Sequence, residues 1–267
     1  MHALLLIIGQ AATDPANDAM TEPQKLQQSL WESLQAPLLV AVLLIAVIVA
    51  VALAMRQRKQ SLAAFAERHG LQAVDTSDPH RTWQRLEELL GGSLLYKAGY
   101  VVKIDAWYTG RLDGLNVHVI DLREFGVLGT RREVDAEAYF NDERFADQGE
   151  TFVVFQGEAL QDLPRFLLVP NHPLLRALGS KQDLVAFENN RFNRSNRVTS
   201  APADLHATEQ LFTNELMEAL AANRSLSIEA TADALVFCRY ATRLGLAGTE
   251  QVLEQARRIL GLMAVRS

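Results

Sequence analysis

The side chains best suited to chemistry fall in three places along this 267-residue chain. The stretch ENNRFNRSNRVTS, residues 188–200, sets Arg191, Arg194 and Arg197 three apart among Asn and Ser. A guanidinium is a fork of donors that matches phosphate, and Asn and Ser add neutral donors. On a loop the three arginines would form an anion site for acidic lipid headgroups. On a strand, a spacing of three would divide them between faces. A second group, Arg56, Arg58 and Lys59, follows directly on an apolar run. The third is His118 with Asp121, the nearest approach to an acid–base pair. Residues three apart on a strand face opposite sides, and a general base needs a partner within hydrogen-bond reach.

The patterns that mark phosphate loops, dinucleotide folds, zinc peptidases and serine hydrolases are missing. Cys238 alone cannot anchor a thiolate metal site and reads as core in an apolar strand. Residues 124–150 hold eight acids and three arginines without calcium-loop spacing, which is the pattern of a solvated surface. No catalytic, cofactor-binding or metal residue is therefore assigned. An active site dispersed along the chain is the alternative, since catalytic groups need not be contiguous.

These groups are arranged around one element, the uncharged stretch from Ala36 to Met55. As a helix it would be about 30 Å long, the thickness of a bilayer's hydrocarbon core. Pro37 sits at its edge, where a missing N–H costs least. Before the run the nearest charges are Glu32, Lys25, Glu22, Asp18 and Asp14; after it come Arg56, Arg58 and Lys59. Basic flanks stay in the cytoplasm, so the amino terminus is expected outside and the carboxyl-terminal domain inside, on the inner membrane. Trp31 suits the outer interface. Residues 1–11 resemble a signal-peptide start but are too short to span, and their cleavage would leave this topology unchanged. Ala46, Ala50 and Ala54 recur every fourth residue, a small-residue face on which two copies of the span could pack as a homodimer.

The expected organisation is a short outer segment (1–35), a transmembrane helix (36–55), a basic juxtamembrane helix and linker (56–80), and a cytosolic domain (81–267). From residue 56 onward 25 bases meet 28 acids, a balance without a nucleic-acid footprint. The single cysteine excludes an intramolecular disulfide and fits a reducing compartment.

Helix signals lie at 21–35, 61–70 (stopping at Gly70), 78–91 (capped by Asp78), 171–179, 207–223 and 249–260 (capped by Thr249, stopped by Gly261). Strand signals lie at 100–108 and 115–123 around Asp113-Gly114, at 151–156, 163–170 and 183–187, and at 226–240 around Ala232-Asp233. Hairpin-linked strands mixed with helices predict an α+β domain with a mainly antiparallel sheet and packed helices.

In LPRFLLVP the residues Leu163, Pro164, Phe166, Leu168 and Pro170 follow an L-P-x-F-x-L-x-P pattern. Asp183 to Phe187 and Phe192 continue it. On these residues the chain resembles uncharacterised bacterial single-pass membrane-anchored proteins with a cytosolic domain. The resemblance covers about residues 60–245, and its motif residues are those of strand ends and edges. It implies a bacterial membrane protein and carries over no catalytic residue. The expected function is a binding, regulatory or scaffold module at the inner membrane face, meeting a protein partner and anionic lipid. A membrane-associated, hydrolase-like enzyme is the competing class.

Overall fold

The computed structural model describes residues 22–97, 100–125, 149–172, 175, 182–239 and 242–264. The signal-like start, most of the acidic segment 124–150 and most of the helix expected at 171–179 lie outside them. The chain divides into two compact units, Met1–Gln57 and Arg58–Ser267.

In the first unit the chain is helical from Glu22, as the start of α1 (Glu22–Arg68, 47 residues). Residues 37–54 are exposed, including Leu38 to Leu53. Among the described residues this is the one helix long and apolar enough to cross a membrane. Pro37 falls inside the helix and not at its edge. The carbonyl of Ser33 therefore loses the donor that another residue would supply.

The second unit is built on a nine-stranded sheet, antiparallel throughout, in the order β1-β2-β3-β4-β9-β8-β5-β7-β6. Its strands are β1 (Gln72–Ala73), β2 (Tyr100–Leu112), β3 (Leu115–Phe125), β4 (Gly149–Gln156), β5 (Phe166–Pro170), β6 (Asp183–Val185), β7 (Asn196–Ser200), β8 (Ser227–Ala230) and β9 (Ala234–Cys238). Side chains alternate between faces along each strand. Val117, Val119, Val153, Phe155, Ile228 and Phe237 pack on one face with Leu216, Leu220, Val252 and Ile259 from helices. Ile120, Leu122, Phe152, Val154, Val236 and Cys238 pack on the other with Leu86 and Leu90. The remaining helices are α2 (Pro79–Leu90), α3 (Leu94–Lys97), α4 (Asn190–Ser195), α5 (Leu205–Leu211), α6 (Asn214–Ala221) and α7 (Leu246–Ala264).

Several local signals act as expected. Asp78 accepts from the Arg81 N–H and caps α2, and Pro79 follows in the first turn. Gly70 has φ +66°, and the N–H of Leu71 bonds back to the carbonyl of Ala66. That closes α1 with a left-handed residue that glycine adopts without strain. Asp113 (φ 51°) and Gly114 (φ 85°) turn the β2–β3 hairpin. Positive φ at both central residues matches the twist of the strands.

Other expectations are corrected. The helix expected after the span is present to Arg68, and the compact unit starts at Arg58, so residues 58–80 belong to that unit. Leu62, Phe65, Ala66 and Leu71 are buried in its core, and Gln72–Ala73 is an edge strand on β2. Each large side chain so buried contributes about 2 kcal/mol. The helix expected over 207–223 is two helices. Phe212 leaves helical geometry to enter a cluster with Phe166, Phe187 and Phe192. Thr213 then caps α6 by accepting from the Leu216 N–H. In α7, Thr249 is not the cap: its hydroxyl donates back to the Gly245 carbonyl inside a helix that begins at Leu246. Gly261 does not stop α7, which runs on to Ala264. Residues 190–200 are no loop, since they form α4 and then β7.

Candidate functional site

Strand β3 carries polar groups on both faces, as the spacing of His118 and Asp121 predicts. On the first face Asp121 sits at the centre of a charged node. Arg58 donates to it from Nε (3.0 Å) and Nη2 (2.5 Å). Arg243 Nη2 bridges Asp121 (2.7 Å) and Asp105 (2.6 Å), and Arg123 donates to Asp105 at 3.1 Å. The Thr151 hydroxyl donates to Asp121 and accepts from the Leu244 N–H. The side chain of Asp121 is 2 % exposed, that of Asp105 8 % and that of Arg243 9 %.

Asp105 reaches this face because β2 bulges. Opposite it the register shifts between Ile104 and Ala106, leaving one extra residue on β2. A bulge re-aims a side chain in this way. Burial works against the charged form of Arg243, but the hydrogen bonds and charges of Asp121 and Asp105 outweigh it and raise its pKa. Burial, then the Asp121 carboxylate, pushes the Tyr108 phenol up as well. Two carboxylates thus draw three guanidiniums together. The node fastens the end of α1 and the start of α7 to β2, β3 and β4.

On the second face a cleft of about 300 Å³ opens beside α2. Trp107 forms part of its floor, flanked by Val74 and Leu89. The N–H of Val74 bonds to the Trp107 carbonyl, which fixes that wall to β2. Thr109, His118 and Gln156 add neutral polar groups from three adjacent strands. Arg85 and Glu88 line the cleft from α2.

The Trp107 indole N–H donates to His118 Nδ1 at 3.3 Å. An indole nitrogen is only a donor, so Nδ1 must be the acceptor and the neutral ring carries its proton on Nε2. Burial lowers the His118 pKa from 6.5 to about 4. Protonation would also set two N–H groups against each other. At neutral pH His118 is therefore a fixed hydrogen-bond donor without a free lone pair.

The residues singled out from sequence do not converge. Arg191 and Arg194 are exposed on α4. Arg197 is half-buried on β7, opposite Val169 of the second face, whereas Phe192 of α4 packs on the first. Arg56 and Lys59 are exposed, while Arg58 belongs to the node. Ala46, Ala50 and Ala54 are exposed along α1. Cys238 is buried core. Among the described residues no group of three or more His, Cys, Asp or Glu side chains is placed to hold a metal ion.

Sequence reasoning missed Arg243, Asp105, Arg123 and Thr151, and the cleft's Trp107, Thr109, Gln156, Arg85 and Glu88. One signal was available. A two-residue turn at Asp113-Gly114 sets Leu112 against Leu115, and counting back pairs Thr109 with His118, as found. No family model matches the chain, and neither a curated protein nor a solved structure gives a match.

Proposed function

We propose that the chain is a single-pass bacterial membrane protein, amino terminus outside, whose domain is a binding module for a protein partner at the inner membrane face, in a regulatory or scaffold role. The exposed apolar surface of residues 37–54 supports the span, and Arg56 and Lys59, both exposed, support the orientation by the positive-inside rule. These two bases, with Arg191 and Arg194, are available to anionic headgroups. The small-residue face of Ala46, Ala50 and Ala54 would let two spans pack closely.

The observation that carries the binding reading is the state of His118. A general base needs a lone pair and a pKa near the working pH. The indole occupies one ring nitrogen of His118 and a proton the other, and its pKa lies near 4. The imidazole in the cleft is set to donate a hydrogen bond to a bound group and not to take a proton from one. This weighs against the hydrolase-like alternative at this site.

Two measurements on the full-length protein in its membrane test the reading. A reporter that works only outside the cytoplasm, fused after Ser267, should be silent, and activity there overturns the orientation. A photo-crosslinking residue in place of Arg111, exposed two positions past Thr109, should yield one discrete protein adduct. Filling the cleft with Thr109→Arg should abolish that adduct. An adduct that persists, or none in the parent, overturns the binding module.

A further inference from the structure

We infer that the cleft beside α2 takes a small zwitterion with an apolar side group, of the kind a free aliphatic α-amino acid presents. This rests on the reading of the cleft as a recognition site and not on the protein partner. Arg85 and Glu88 are three apart on α2, hence neighbours on one helix face, and both line the cleft. Among the described residues no salt bridge is made to the Arg85 guanidinium, although its charge is felt by Asp75. Glu88 accepts one hydrogen bond, from Gln84 Nε2 to Oε1, which leaves its second oxygen for a ligand.

The cleft therefore offers one cation and one anion side by side. A purely anionic ligand would face Glu88, and a purely cationic one would face Arg85. A zwitterion answers both charges at once, and complementarity of this kind sets specificity. His118 lines the same cleft, and its Nε2–H is a further donor for a carboxylate. Val74, Leu89 and the Trp107 ring supply the apolar surface. A cleft of about 300 Å³ lies at the small end of ligand sites, which favours a single small molecule.

The test uses full-length protein in detergent, titrated calorimetrically with L-leucine, with isocaproate (leucine without its amine) and with isoamylamine (leucine without its carboxylate). Leucine should bind, and each half-ligand should bind at least about tenfold more weakly, the loss expected for one charged hydrogen bond. Arg85→Gln should erase the advantage of leucine over isoamylamine. Glu88→Gln should erase its advantage over isocaproate. Both residues are exposed on α2, so these variants should fold. The inference is overturned if leucine does not bind, if isocaproate or isoamylamine matches it, or if both variants bind leucine like the parent. Failure here with the Arg111 adduct intact removes the ligand and leaves the binding module. Leucine binding without an adduct removes the protein partner and leaves the ligand.

Discussion

His118 and Asp121 lie three residues apart on one strand, yet their surroundings differ in kind. Around Asp121 every charge meets an opposite charge: two carboxylates and three guanidiniums lie within hydrogen-bond distance, and a threonine hydroxyl fills a remaining site. Around His118 the one close hydrogen bond comes from an indole, and the nearby Arg85 and Glu88 stay at the edge of a cleft. Buried charge has to be matched internally or it is costly, so the node is spent on holding the fold. The cleft sets exposed charges, held by no salt bridge among the described residues, beside apolar surface, the kind of lining found in binding sites. A buried charge cluster attracts attention as a potential active site. Here each carboxylate of the cluster is taken up by neighbouring guanidiniums, which is the work of a structural tie, whereas the cleft on the other face is the one our proposal uses.

Substitutions should separate the two faces by size of effect. The largest belongs to the node. Asp121→Ala removes the shared partner of Arg58 and Arg243 and should destabilise the domain by about 3 kcal/mol or more, the usual cost of breaking a buried ion pair from one side. Denaturant unfolding of the full-length protein measures it. A loss below about 1 kcal/mol, the scale of a surface pair, would remove the structural assignment.

The next effect is a pH dependence. Folded His118 stays neutral down to about 4, whereas the unfolded chain protonates it near 6.5. Its share of stability is therefore complete above about pH 6.5 and is lost as pH falls towards 4, by about 3 kcal/mol at most. His118→Asn keeps an acceptor for the indole and should flatten that part of the stability curve relative to the parent. Identical slopes for parent and variant between pH 6.5 and 4 would show that His118 titrates freely.

The smallest effect on stability should come from the cleft's edge. Arg85→Gln leaves no buried partner stranded and should stay within about 0.5 kcal/mol of the parent in the same unfolding experiment. A much larger loss would mean that Arg85 holds the fold, and the contrast between the faces would collapse.

Much of the architecture can be read locally, because many of its signals act between near neighbours in sequence. The Asp78 cap, the left-handed stop at Gly70, the Asp113-Gly114 turn and the strand alternation that parts His118 from Asp121 are all of this sort. So is the uncharged run from Ala36 to Met55, long enough by itself to cross a bilayer. The α+β class with an antiparallel sheet follows from such signals taken together.

The sites were decided elsewhere. Arg58 reads as a cytoplasmic flank until Asp121, 63 residues later, claims it. Arg243 joins the same carboxylate across 122 residues, and no local pattern announces the bulge that delivers Asp105. Phe212 breaks a helix that its neighbours favour because an aromatic cluster gains more from its ring than one helical turn would. The arginines of 188–200 were legible as residues but not as a surface, because folding sent Arg197 into a strand and the other two onto a short helix. Local sequence sets the preferences of backbone and turn, each worth about 1 kcal/mol. Which charges are buried together, and which are left facing a cleft, depends on contacts between distant residues that exist only once the sheet has assembled.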